Sequence, residues 1–237
     1  MINQDGYRIV VYGDSITKGV IFDEERQRYT VMEDSFTDLI KKECKGVIHG
    51  VGKFGNTIMR AVDKLHRLVI NKKPDIVLLE FGGNDCDFDW EEIAQNPQKE
   101  HNPKTELSLF QQTLKETVET IKENNAIPVL MSLPPLDAER YFKWISKNDP
   151  WYAKNILRWL ETVSRIYWWH ERYNAAVMRV AEETNSKLID IRGAFLEKTD
   201  YRSLISIDGI HPNQSGHKVI ARKIIEYTKE KYDFLIK

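Results

Sequence analysis

Five short runs rich in β-branched and aliphatic residues, at about residues 8–13, 46–50, 75–81, 127–132 and 187–191, alternate with stretches whose apolar residues recur every three or four positions. A strand buried on both faces reads as near-continuous apolar sequence, whereas a helix that covers it shows a single stripe. Ile58, Val62, Leu65 and Val69 form one such stripe, and Leu107, Phe110, Leu114, Val118 and Ile121 a second. Tyr173, Val177 and Val180 form a third, and Val219, Ile220, Ile224 and Tyr227 a last one. Strands joined by helical crossovers lie parallel, and the helices must cover both faces of the sheet. The rhythm predicts an α/β protein, a three-layer α/β/α sandwich around a five-stranded parallel sheet. With 237 residues, one domain over residues 1–237 is the economical reading.

Charge and cysteine content narrow the partners. Lysine and arginine total 35 against 36 aspartates and glutamates, with no long run of one sign, so no nucleic-acid partner is expected. Cys44 and Cys86 give no disulfide framework and stand in no CxxC or Cys/His cluster of the kind that holds zinc. Two free thiols in a reducing compartment are the expectation. No apolar run approaches membrane-spanning length, and Met1 to Gly6 lacks a basic segment followed by an apolar stretch. A soluble, cytoplasmic protein with no membrane partner is therefore expected.

In open parallel sheets, ligands gather beyond the carboxyl ends of the strands. Gly13-Asp14-Ser15 follows the first run, Gly50 through Thr57 the second, and Gly82-Gly83-Asn84-Asp85 the third. Asp208-Gly209-Ile210-His211-Pro212 precedes the last helical stripe, so one rim of the sheet should collect all four segments. A hydroxyl is a poor nucleophile at neutral pH and needs a base within hydrogen-bond reach, which in turn needs an acid to fix its tautomer. Ser15 at the mouth of a strand, with Asp208 and His211 in one loop, has the parts of an acyl-transfer site. Asp14 reads as a turn residue that holds the serine loop, and Thr57 or Asn56 as the cap of a helix beginning at Ile58.

Two connections exceed ordinary length. One runs from Cys86 to about Thr105, acidic at its start. The other, about residues 134–170, is an aromatic-rich insertion carrying Trp144, Trp151, Tyr152, Trp159, Tyr167, Trp168 and Trp169. So many aromatics argue against disorder, and the spacing of Ile156, Leu160, Val163 and Tyr167 predicts helix. Helices there would wall the site or form a contact in a homo-oligomer; equally, the aromatics would serve only to pack them onto the domain.

Together the four segments resemble the ordered motif set of the GDSL-like, or SGNH, hydrolases, whose four named residues are a serine, a glycine, an asparagine and a histidine. The resemblance spans the chain from the first strand to the last helix and implies a flavodoxin-like SGNH hydrolase fold. It implies a serine esterase with Ser15 as nucleophile, His211 as general base and Asp208 orienting His211. The oxyanion hole it implies consists of the backbone N–H groups of Ser15 and Gly55 and the side-chain amide of Asn84. Fixed neutral donors suit that task, because a tetrahedral intermediate carries full charge on the former carbonyl oxygen. No metal or organic cofactor is implied, and the partner is a small-molecule acyl ester. Short-chain, above all acetyl, esters on carbohydrate are the leading expectation, with thioesterase or lysophospholipase chemistry as alternatives. Asp85 beside Asn84, His101 in the loop after it, and Trp144 and Trp151 in the insertion are the candidates for substrate contacts. Gly50 and Asn56 depart from the family's frequent asparagine and aspartate, which bears on loop shape only.

Other readings are weaker. Gly50-Val51-Gly52-Lys53-Phe54-Gly55 fits GxGxxG, but the acidic residue at the required distance, Asp75, opens a strand instead of closing one. Thr17 stands where the nucleophile elbow of α/β-hydrolases needs glycine. A non-catalytic binding module on the same scaffold would lose the serine or the histidine, and both positions are filled.

Overall fold

The computed structural model describes residues 6–237; residues 1–5, read above for a leader, lie outside the described residues. Among the described residues there are seven strands: β1 (Arg8–Gly13), β2 (Val20–Asp23), β3 (Arg28–Val31), β4 (Val47–Gly52), β5 (Ile76–Glu80), β6 (Ile127–Met131) and β7 (Lys187–Ile189). The central sheet takes five of them, all parallel, in the order β4-β1-β5-β6-β7. β1 thus lies between β4 and β5, and the strand order reverses there. The helices are α1 (Ser15–Lys18), α2 (Phe36–Glu43), α3 (Ile58–Val62), α4 (Leu65–Leu68), α5 (Trp90–Gln95) and α6 (Leu107–Glu123). They continue with α7 (Ala138–Ile145), α8 (Pro150–Leu160), α9 (Ser164–Glu183), α10 (Ile191–Leu196) and α11 (Gln214–Lys231).

Alternation along β1 explains the layering. Val10 and Tyr12 point into a core shared with Ile58 of α3, Leu65 of α4, Phe110 and Leu114 of α6 and Val177 of α9. Ile9 and Val11 point the other way, against Phe36 and Ile40 of α2, Phe195 of α10 and Ile220 and Ile224 of α11. Burying a side chain of this size stabilises by about 1.5–3 kcal/mol, so both faces must be covered at once. A third cluster stands apart, built from Phe88, Ile93 of α5, Tyr141 and Ile145 of α7, Ile156 and Leu160 of α8 and Ile166 of α9. The aromatic-rich segment is therefore folded into α7, α8 and the start of α9.

The structure amends two readings. β2 and β3 pair antiparallel as a separate hairpin, which no strand expectation covered. β4 runs on through Gly52, which pairs with Gly13, and α1 comes so near that a Cβ at Gly52 would sit 2.3 Å from the Lys18 nitrogen. Among the described residues, no helix is long and apolar enough to cross a membrane, and no group of three or more His, Cys, Asp or Glu could hold a metal ion. Cys44 and Cys86 are buried free thiols.

Candidate active site

β1 ends at Gly13, and Asp14 caps α1 by accepting the Ile16 N–H at 2.9 Å. Ser15 is consequently the first residue of a helix, where backbone N–H groups have no intrahelical acceptor. Across the rim, the loop before α11 is pinned by the Ser206 N–H bonding to the His211 carbonyl at 2.8 Å. Asp208 Oδ1 accepts the N–H groups of Ile210 and His211, both at 3.1 Å. These bonds aim its second oxygen at the imidazole, and His211 Nδ1 lies 2.6 Å from Asp208 Oδ2. A carboxylate accepts only, so Nδ1 carries the proton and Nε2 is the acceptor. Ser15 Oγ donates to that Nε2 at 2.9 Å. All three side chains are at least 95 % buried, Asp208 completely. Burial pushes the Asp208 carboxyl up, but the hydrogen bond and charge of His211 and the two N–H donors outweigh it and hold the group below its ordinary value.

Ser15, Gly55, Asn84 and His211 all line one cavity of about 1110 Å³. Gly55 sits at φ +65°, a conformation that disfavours any side chain, and the space a Cβ would take is empty. Asn84 donates from Nδ2 to Asp14 Oδ2 at 2.8 Å, which fixes which end of its amide is the donor and leaves one N–H free. The Gly55 and Asn84 loops are tied together from below: Asp85 Oδ1 accepts the Ile58 N–H at 2.9 Å and the Thr105 hydroxyl at 2.7 Å.

That tie corrects the expectation for Asp85. It is wholly buried beneath the cavity, its carboxylate used in holding two loops, so it is not a substrate contact. Burial pushes its pKa up to about 6. Trp151 is also set aside: it is 53 % exposed, packs edge-on against Tyr152 and does not line the cavity. His101 and Trp144 do line it. The His101 Nε2 lies 3.0 Å from the Asn96 carbonyl oxygen, which orients the ring. Trp144 packs against Phe22 and Tyr29 of the hairpin, with ring centroids 4.6 and 6.1 Å apart.

Sequence reasoning missed the hairpin's part in the site. Tyr29 stands edge-on to the His211 ring at 5.3 Å, and Phe54 lies nearly parallel to it at 6.2 Å. Burial and then the Asp208 charge push the Tyr29 phenol upward, so it is a neutral hydroxyl beside that carboxylate. The available signal was two short β-prone runs, Val20 to Asp23 and Arg28 to Val31, around a polar turn. Of the remaining histidines, His170 and His217 are buried and held neutral, with pKa values of about 3 and 4, burial being the main cause in both.

Known proteins are similar to this chain in sequence and in fold. Residues 11–219 match the GDSL-like Lipase/Acylhydrolase family. The GDSL esterase/lipase WDL1 of Oryza sativa subsp. japonica is 21 % identical over 199 residues, 83 % of this chain and 70 % of the relative. An acetylxylan esterase of Geobacillus stearothermophilus is 27 % identical over 176 residues, 73 % of this chain and 68 % of its own. Among solved structures, a lipase/acylhydrolase from Enterococcus faecalis superposes with a TM-score of 0.68 at 20 % identity, covering 98 % of this chain and 97 % of the other. The Geobacillus stearothermophilus acetylxylan esterase gives 0.65 at 23 % identity, with 95 % of each chain covered. The chain belongs to the GDSL-like lipase/acylhydrolase family and is a carboxylic ester hydrolase.

Proposed function

We propose that the chain is a serine esterase that removes short acyl groups, acetyl foremost, from hydroxyl-bearing substrates, carbohydrates among them, through an acyl-enzyme on Ser15. The observation that carries this reading is the continuous bond chain Asp208 to His211 to Ser15, at 2.6 and 2.9 Å, opening on a cavity that also holds Gly55 and Asn84. His211 Nε2 takes the Ser15 proton as Oγ attacks the ester carbonyl, and Asp208 stabilises the imidazolium that results. The carbonyl oxygen becomes an oxyanion, met by the N–H groups of Ser15 and Gly55 and by the free N–H of Asn84. His211 then hands its proton to the departing alcohol. Water entering the same place is activated by the same nitrogen and releases the acid. The likeness to an acetylxylan esterase, at 27 % identity, supports the acetyl preference.

The volume of the cavity favours a second reading, in which a long acyl chain fills the aromatic-lined space, as in lysophospholipase or thioesterase chemistry. Hydrolysis of p-nitrophenyl acetate, butyrate and octanoate by the wild type and by Ser15→Ala separates the two. Turnover of acetate that disappears in Ser15→Ala supports the proposal, and fastest turnover of octanoate transfers support to the second reading. Activity that survives in Ser15→Ala would overturn the acyl-enzyme. Loss of at least about 10⁴-fold is expected for the variant.

A further inference from the structure

The last residue of β5 is a glutamate in an otherwise aliphatic strand, Ile76 to Leu79 followed by Glu80. It is 1 % exposed, and so is Asp14 across from it. Glu80 Oε2 accepts the Thr17 hydroxyl at 3.1 Å and, more weakly, the Asp14 N–H at 3.4 Å. Glu80 Oε1 is buried with no donor among the described residues. Two carboxylates this close, with no cation in contact, cannot both be ionised away from water. Glu80 reaches the Asp14 backbone N–H at 3.4 Å, so both carboxyls lie in one buried pocket where a single proton shared between them would turn repulsion into a bond.

Donor count decides where that proton sits. Asp14 has two good donors of its own, the Ile16 N–H at 2.9 Å and Asn84 Nδ2 at 2.8 Å, so its carboxylate is the better solvated. Glu80 has the poorer set and an orphan oxygen, so it is the neutral acid. Its burial, then the Asp14 charge, push its carboxyl well above the ordinary range, against the opposing bonds from the Asp14 N–H and Thr17. Facing the pair are Thr17 from α1, Asn84 from the loop after β5 and His211 from the loop before α11. Asp85 lies close enough to feel the Asp14 charge.

We propose that Glu80 is a positioning residue of the oxyanion hole: a buried carboxylic acid that donates its proton to Asp14 and thereby holds the Asp14 carboxylate against the Asn84 amide. The inference rests on the role proposed above for Asn84. Asp14, held on one side by Glu80, takes one Nδ2–H of Asn84 and leaves the other directed into the cavity. Neutral Glu80 also keeps a second negative charge from accumulating beneath the site where the oxyanion forms. Ionising it would both release Asp14 and oppose the charge of the transition state.

Glutamine copies a protonated glutamate in shape and in its donor, whereas leucine copies only the volume. Glu80→Gln should keep kcat within about threefold of wild type at neutral pH, while Glu80→Leu should lose about tenfold or more in kcat with little change in KM. In alkali the wild-type kcat should fall as Glu80 ionises, and the Glu80→Gln profile should lack that fall. Infrared difference spectra of the wild-type enzyme across the same pH range should show a protonated carboxyl surviving above pH 7 and bleaching in step with kcat. That band is read without turnover, so it tests the shared proton even if Asn84 proves to have no role or a variant fails to fold. Absence of the band at neutral pH, or equal kcat losses in folded Glu80→Gln and Glu80→Leu, would overturn the proposal. The band with Asn84→Ala at full activity would instead leave the acid pair standing and remove the oxyanion reading beneath it.

Discussion

The rim at the ends of β1 and β5 and the helical annex of α5, α7 and α8 face each other across one cavity, yet they are held by different forces. At the rim each polar group is fixed by directional bonds. Asp208 accepts three, Asp14 accepts the N–H of Ile16 and the amide of Asn84, and Asp85 clasps two loops. In the annex most contacts are between rings, Phe88 with Trp159 at 5.0 Å, Trp90 with Tyr141 at 6.1 Å and His101 with Trp159 at 5.6 Å, and the directional bonds are fewer, Asp87 Oδ1 accepting from Trp90 Nε1 at 2.8 Å and the Tyr141 hydroxyl at 2.6 Å. Hydrogen bonds hold atoms to tenths of an ångström, while aromatic packing tolerates rearrangement at small cost. Chemistry that needs fixed distances belongs at the first, and selection of substrate shape at the second.

Substitutions on the two sides should separate accordingly. Asp208→Asn removes the acceptor that sets the His211 tautomer and should lower kcat about 10³–10⁴-fold in a folded protein; steady-state kinetics with a loss under tenfold would break the comparison at its strongest point. Asn84→Ala should cost about 10²–10³-fold in kcat, with KM nearly constant, because its donor is engaged only as the oxyanion forms. Asp85 makes a prediction about stability. Its pKa is raised by burial to about 6, so the stabilisation is complete below its unfolded value and is lost as pH rises through about 6. Asp85→Asn keeps the oxygen that accepts from Ile58 and Thr105 but cannot ionise. Its Tm relative to wild type should therefore climb between about pH 4 and pH 7, by the equivalent of on the order of 1–3 kcal/mol. A constant difference in Tm would count against the buried charge. Across the cavity, Trp144→Ala should raise KM about twofold to tenfold and shift acyl preference while sparing kcat. Trp151→Ala, on the outer surface, should leave both constants within about twofold by the same assay.

The strand rhythm and the four rim segments were legible because each rests on local chemistry. Buried parallel strands must be apolar throughout, and turns that present a serine or an Asp/His pair need their glycines in sequence. Asp85 was misread for a related reason: adjacency to Asn84 along the chain says nothing about direction, and consecutive residues in a tight loop point to opposite sides. Trp151 failed likewise, since richness in tryptophan marks a packed segment without saying which rings face inward. The contribution of Tyr29 depends on a hairpin folding back over His211 and that of Phe54 on the loop after β4 doing the same, contacts across more than 150 residues that no local pattern encodes. Glu80 did carry a local mark, one charge closing an aliphatic run, whose meaning appears only once Asp14 is beside it.

Ser15 and His211 are 196 positions apart, and their bond closes only when the loop before the last helix docks onto the rim. At roughly 5–20 residues per second, the ribosome holds a finished serine loop for about 10–40 s before the histidine has even been made. Ester turnover is thus a built-in clock for the completion of folding: a refolding or translation experiment that follows hydrolysis in time reports the arrival of the C-terminal segment, with no added label.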